Sequence, residues 1–204
     1  MQLLLVRHGE PLSADAGPDG APADPGLSSK GRVQASALGW WAANHTDEKV
    51  LEVVVSGMRR AQETAAPVTD ALELTATVDP DLAEFDSGQA SYRPVHERLG
   101  SDDPEWTRIQ EGFLPEYVDV GAFTTRIRGA FDRIVERHRD TGRESVMVVC
   151  HAGVINTFLA LELGLARPLT FPLDHVGISR VLISRSGRVR VRSVNETGHV
   201  GDLL

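Results

Sequence analysis

The chain is poor in cysteine, in net positive charge and in long unbroken apolar runs. Cys150 is the only cysteine in 204 residues, so no internal disulfide can form and a reducing, cytoplasmic setting is expected. It ends an apolar run, which reads as a buried, inert thiol. Asp and Glu number 29 against 21 Lys and Arg, a net charge of −8. That balance opposes nucleic-acid and anionic-membrane partners, both of which need a basic face. The longest apolar stretch, about 146–165, is broken by His151, Asn156 and Glu162, and reads as a strand followed by a helix, not a membrane span. The N-terminus has no charged lead-in and only a short apolar run, so it does not read as a signal peptide. No internal repeat is visible. Gly-Lys-Ser/Thr and Gly-x-Gly-x-x-Gly are both missing, as are His-Glu-x-x-His and Cys-x-x-Cys. No metal or cofactor is therefore expected.

What is present is ordinary in bulk, 41% hydrophobic and 25% charged. The length suits a single domain, 1–204. Strand-like runs at 2–7, 50–55, 75–79 and 145–150 alternate with helical patterns at 28–44, 58–73, 121–139 and 153–164. Val33, Ala37, Trp40 and Trp41 read as the apolar stripe of the first helix. Ser186-Gly187 turns a closing hairpin, 178–184 with 188–194, and the last ten residues read as a loose tail. The alternation implies a three-layer α/β/α sandwich with a mostly parallel central sheet, without giving strand order. Two segments stand apart. Residues 11–26, rich in Pro, Gly and Asp, read as a loop that either shapes a site or is a surface excursion. Residues 84–120, polar and carrying Pro94, Pro104 and Pro115, read as a partly helical insertion, a candidate lid.

The chemistry sits at strand ends. Leu3-Leu4-Leu5-Val6 runs straight into Arg7-His8-Gly9-Glu10, and Val146–Cys150 runs into His151-Ala152-Gly153. Ligands of open α/β sheets bind outside the carboxyl ends of strands. Two histidines delivered there point to an anion or phosphoryl site. Ser56-Gly57-Met58-Arg59-Arg60-Ala61 marks another strand-to-helix handover, and Leu82-Ala83-Glu84 opens the insertion.

These pieces resemble the histidine phosphatase superfamily, with its phosphoglycerate-mutase-like fold. Leu5–Glu10 is similar to the family's opening motif, and Val149–Val154 to its second histidine motif. Leu27-Ser28-Ser29-Lys30-Gly31 with Gln34-Ala35, and Ser56 through Thr64-Ala65, resemble its two intervening elements. The resemblance spans nearly the whole chain. It implies that His8 is a nucleophile that becomes phosphohistidine, that Arg7, Arg60 and His151 hold phosphate, and that Glu84 is the proton donor. Asp86 is the competing carboxylate. Register against the family element favours Arg60 over its neighbour Arg59. Glu10 either lines the pocket or faces solvent. Many relatives carry an Asn soon after the opening motif; here Ser13 is the substitute on offer. His175, ahead of the closing hairpin, is a candidate substrate or supporting contact, read first as a plain loop residue.

The implied activity is hydrolysis of a small phosphorylated metabolite without metal, through phospho-His8. A phosphoglycerate-mutase-type phosphotransferase and a non-catalytic module that holds phosphorylated ligands are the alternatives. A homodimer is left open. The insertion holds more acids than bases, which favours a small or apolar monoester, with Trp106 and Phe113 as contacts.

Overall fold

The structure is a computed structural model that describes all residues except 45–48, 95, 96, 98–102 and 143. Those at 95, 96 and 98–102 belong to the 84–120 insertion, so that much of the expected lid lies outside the described residues.

The chain opens with β1 (Gln2–Arg7), whose Leu3, Leu4, Leu5 and Val6 are wholly buried. A strand buried on both faces needs a continuous apolar run, and this one has it. It is followed by α1 (Ser29–Asn44), β3 (Val50–Ser56), α2 (Arg59–Leu72) and β4 (Thr77–Asp79), with the short β2 (Ala14–Asp15) ahead of α1. The insertion holds β5 (Ser91–Tyr92) and α3 (Pro104–Gln110). Then come α4 (Val120–Arg137), β6 (Ser145–Cys150), α5 (Ala152–Leu163), β7 (Ile178–Ile183) and β8 (Val189–Glu196). The central sheet has the order β4-β3-β6-β1-β7-β8. Its first four strands are parallel, and β7 and β8 run antiparallel at the other side.

Alternation along β1 divides the core. Leu3 and Leu5 face α4 and α5, joining Phe131, Ile134, Ile155 and Leu159. Leu4 and Val6 face α1 and α2, joining Leu38, Trp41, Ala61 and Val68. This is the three-layer α/β/α arrangement, helices on both faces of a largely parallel sheet. No helix among the described residues is long and apolar enough to cross a membrane.

Sheet order sets the site. β6 lies between β1 and β3, with Arg7 opposite Cys150 and Val149 opposite Val55. His8 and His151 therefore leave neighbouring strands at one height, with Ser56 at the end of β3 one residue short of them. Gly9 permits the turn after β1: a Cβ there would lie 2.8 Å from the Gly31 carbonyl oxygen, and one on Gly31 would lie 2.0 Å from that of Glu10. The corner thus rests directly on the start of α1, and the Gly9 N–H donates to Thr64 of α2.

Two expectations are corrected, and one left open is decided. Of the expected α1 stripe, Trp41 is buried, but Val33 and Trp40 are 51% and 67% exposed; α1 buries Gln34, Ala35, Leu38 and Ala42 beside Trp41. The inward face is chosen by close contact with α2, where a Cβ on Gly39 would lie 2.6 Å from the Pro67 carbonyl oxygen. The C-terminal residues are not a loose tail. Val200 is buried in the α1–α2 core, and the Leu203 carbonyl accepts from Gln34 Nε2. The 11–26 loop is not a free excursion. Its β2 pairs with β5 of the insertion, and Asp24 accepts from the Arg59 N–H, capping α2.

Candidate active site

The carboxyl ends of β1 and β6 open beneath the insertion into a cavity of about 570 Å³. Arg7, His8, Arg60, Glu84 and Asp86 line one end of it. His151 lies behind the wall, fully buried, with its ring centroid 5.1 Å from that of His8.

His8 is held at three points. Its backbone N–H donates to the Cys150 carbonyl, its Nδ1 is 2.7 Å from the Gly9 carbonyl oxygen, and its Nε2 is 3.2 Å from Arg60 Nε. A carbonyl can only accept, so Nδ1 carries the proton and the Nε2 lone pair faces the guanidinium. Burial, reinforced by the charge of Arg60 and then by His151, Arg7 and His175, holds the His8 pKa well below the ordinary histidine value. The imidazole is thus neutral near pH 7. His151 is kept neutral in the same way, by burial and then by Arg60, Arg7 and Arg126. Its Nε2 is 2.8 Å from Ser56 Oγ, and its Nδ1 is buried with no partner.

Arg60 is almost wholly buried at the start of α2. Its Nη2 donates to both oxygens of Asp86 at 2.8 and 3.0 Å, and the Tyr92 ring covers the guanidinium at 4.7 Å. Its Nη1 is buried without a partner, as is Arg7 Nε. Arg7 is anchored by a bond from Nη1 to the Leu173 carbonyl. Two guanidiniums therefore keep N–H groups unspent beside the Nε2 of His8. Buried donors of that kind call for an acceptor, and guanidinium forks suit the oxygens of a phosphate.

Glu84 follows a single helical turn at Pro80–Leu82 that leads off β4. Arg126 of α4 fixes its approach by donating to the carbonyls of Asp81 and Ala83. The carboxylate accepts from the Gly153 N–H at 2.8 Å and the Phe85 N–H at 3.1 Å. Gly153 is required there, because a Cβ would meet Glu84 Oε1 at 2.4 Å. Burial, with help from the Asp86 charge and against the Gly153 N–H, raises the Glu84 pKa from 4.5 to about 7. A carboxyl group poised at that value can give and retake a proton near neutrality.

Arg7, His8, Arg60 and Glu84, remote in sequence, thus line one cavity, with His151 packed against His8 behind its wall. Glu10 and Ser13 do not join them. Glu10 turns away to accept from Ser28 Oγ, whose oxygen also takes the Gly31 N–H at the start of α1. Ser13 is exposed and bonds Glu97. His175 is more than a plain loop residue: its ring centroid lies 5.9 Å from that of His8, because Val176 N–H bonds the Arg7 carbonyl. Phe113 is 37% exposed and lies outside the cavity wall, whereas Trp106 is in it. Cys150 is fully buried, and burial raises its thiol pKa. Sequence reasoning gave Ser56 no contact with His151, and took Asp86 for a rival acid without its bond to Arg60. Tyr92 carried no sequence signal at all.

A family model, the histidine phosphatase superfamily (branch 1), matches residues 3–197, and the chain belongs to that superfamily. The chain is similar to the bifunctional protein Rv2228c of Mycobacterium tuberculosis, 29% identical over 208 residues, 98% of this chain and 55% of that protein. It is also similar to the mitochondrial serine/threonine-protein phosphatase Pgam5 of Caenorhabditis elegans, 31% identical over 180 residues, 85% of this chain and 57% of that one. The chain thus spans little more than half the length of these two curated relatives. Among solved structures, the mycobacterial glucosyl-3-phosphoglycerate phosphatase Rv2419c complexed with VO3 superposes with a TM-score of 0.74 at 23% identity, covering 96% of this chain and 99% of that one. At that identity the likeness speaks for the fold.

Proposed function

We propose that this chain is a metal-independent phosphomonoesterase that works through a phosphohistidine on His8. The observation that carries the reading is the His8 ring, with Nδ1 committed to the Gly9 carbonyl and Nε2 facing Arg60 at the cavity end. Membership of the superfamily and the phosphatase names of its relatives support it.

In this reading the phosphoryl oxygens take the unspent N–H groups of Arg7 and Arg60 and, with Nε2 accepting from Ser56, the Nδ1–H of His151. Charge spreads over those oxygens as the ester bond lengthens, so fixed cationic donors stabilise the transition state more than the ground state. The Nε2 lone pair of His8 attacks phosphorus. The bond from phosphorus to the ester oxygen breaks, and the proton of Glu84 passes to that oxygen, which leaves as an alcohol. Water enters next. Glu84, now a carboxylate, takes its proton while its oxygen attacks phosphorus. The P–N bond breaks, releasing inorganic phosphate and restoring neutral His8 and protonated Glu84. Arg7 and Arg60 occupy the ground a metal ion would take, and their charges repel a cation.

Substituting His8→Ala tests the reading. Hydrolysis of 4-nitrophenyl phosphate is expected to fall by ~10³-fold or more. The native protein, quenched during turnover of a labelled ester, is expected to carry acid-labile, base-stable phosphate, with the rate unchanged by EDTA. Retained activity in the variant would refute it.

A further inference from the structure

Past the phosphate end, the same cavity changes character. Trp106, Ile109, Leu169 and Phe171 form an apolar wall, brought together from α3 and from the segment after α5. Trp106 is only 8% exposed, and its indole N–H is buried without a partner. The charges on this distal part are Arg93, Glu105 and Asp174. Arg93 is already spent, donating through Nη1 to the carbonyls of Ala14 and Tyr92 and through Nη2 to Asp15. Arg7 and Arg60 lie at the phosphate end. The far wall thus presents apolar surface and one indole donor, with no uncommitted guanidinium or ammonium among the described residues that line it; Asp174 accepts from Asn195 Nδ2.

We propose that this wall is the subsite for the leaving group, and that it takes an aromatic or otherwise apolar alcohol without a second acidic group. The proposal rests on the phosphomonoesterase reading for the role of the cavity, and goes beyond it by naming the substrate class. An aryl or apolar group leaves water for the wall of Trp106 and Phe171 at a gain proportional to the area buried. A second phosphate or a carboxylate would be desolvated beside Asp174 with no uncommitted cation among the described lining residues to meet it, which is costly. The unpartnered Trp106 N–H adds a preference for a leaving group that carries a hydrogen-bond acceptor. The same wall opposes a phosphoglycerate as substrate, because its carboxylate finds no uncommitted cation among the described lining residues.

The test separates binding from turnover. Isothermal calorimetry on the native protein compares 1-naphthylmethylphosphonate with phosphonoacetate, neither of which can release phosphate because the P–C bond is inert to this chemistry. The naphthyl compound is expected to bind at least ~tenfold tighter, the scale on which apolar pockets discriminate. Trp106→Ala is expected to weaken the naphthyl compound by ~tenfold while leaving phosphonoacetate unchanged, and Trp106→Phe to keep most of the naphthyl affinity. Unchanged phosphonoacetate binding also reports that the variants are folded. Equal affinity for the two compounds in the native protein, or tighter phosphonoacetate, overturns the inference whatever the enzyme turns over. Steady-state kinetics completes the separation: kcat/KM for 1-naphthyl phosphate is expected to exceed that for 3-phosphoglycerate. If neither ester is hydrolysed while the naphthyl preference in binding holds, the phosphomonoesterase reading falls and the subsite remains.

Discussion

Glu84→Gln is the sharpest probe of the mechanism. Gln has nearly the same shape as Glu, and its carbonyl oxygen can still accept the Gly153 N–H now bonded at 2.8 Å. The loss is the acidic proton, at a group whose pKa burial and Asp86 raise to about 7. General-acid catalysis is worth ~10²–10⁴ in rate. An alkoxide cannot leave without a proton, whereas 4-nitrophenolate is a stable anion. Glu84→Gln is therefore expected to cut kcat on an alkyl phosphate by ~10²–10⁴-fold, and on 4-nitrophenyl phosphate by ~tenfold or less. The pH dependence follows from the same value. Glu84 acts protonated, so native kcat on the alkyl ester falls as pH rises through about 7. At pH 8 about one-tenth of the acid form remains. His8 does not distort this limb, since its pKa is lowered and it stays neutral throughout. Stability carries a matching signature. Because the folded pKa lies above the ordinary 4.5, folding favours protonated Glu84, and that contribution is full below pH 4.5 and lost as pH rises through about 7. The total is about 3 kcal/mol at about 1.4 kcal/mol for each tenfold change. The thermal midpoint of Glu84→Gln should gain on the native one across that window. Equal losses on both esters, with the limb near pH 7 unmoved, would refute the reasoning and pass the acid's role to Asp86.

Two further substitutions probe the surroundings of that acid. Asp86→Asn keeps an acceptor for Arg60 Nη2 but removes a charge that raises the Glu84 pKa. The descending limb of the pH–rate profile is expected to move to lower pH, with activity on alkyl esters retained below it; an unmoved limb would deny the coupling. Gly153→Ala puts a Cβ within 2.4 Å of Glu84 Oε1 and 2.8 Å of the Phe85 ring. Overpacking of that kind costs ~1–3 kcal/mol, and a displaced acid ~10²-fold in kcat/KM. Thermal melts and steady-state kinetics check both figures.

Much was legible in the sequence because it is local. A strand buried on both faces must be a continuous apolar run, so Gln2–Arg7 and Ser145–Cys150 announce themselves, together with the His residues that follow each. The paired face of α4 is equally plain, since Phe123, Ile127, Phe131 and Ile134 recur at helical spacing and are buried. The four motifs named the residue types of a phosphoryl site. Sequence could not say that β6 lies between β3 and β1, which sets His151 between Ser56 and His8. Pairing between strands as remote as Gln2 and Ser145, or Val50 and Ser145, is decided by how the helices cover the sheet, and no local pattern encodes it. The same holds for α1, where Trp40 and Trp41 look alike in sequence but only Trp41 meets α2 and the C-terminal turn. It holds for Asp86 and Tyr92 on Arg60, and for the Glu84 pKa, which depends on burial beneath an insertion. Residue identity and periodicity belong to the chain alone. Proximity, desolvation and the choice of which charges face each other arise only when distant segments pack.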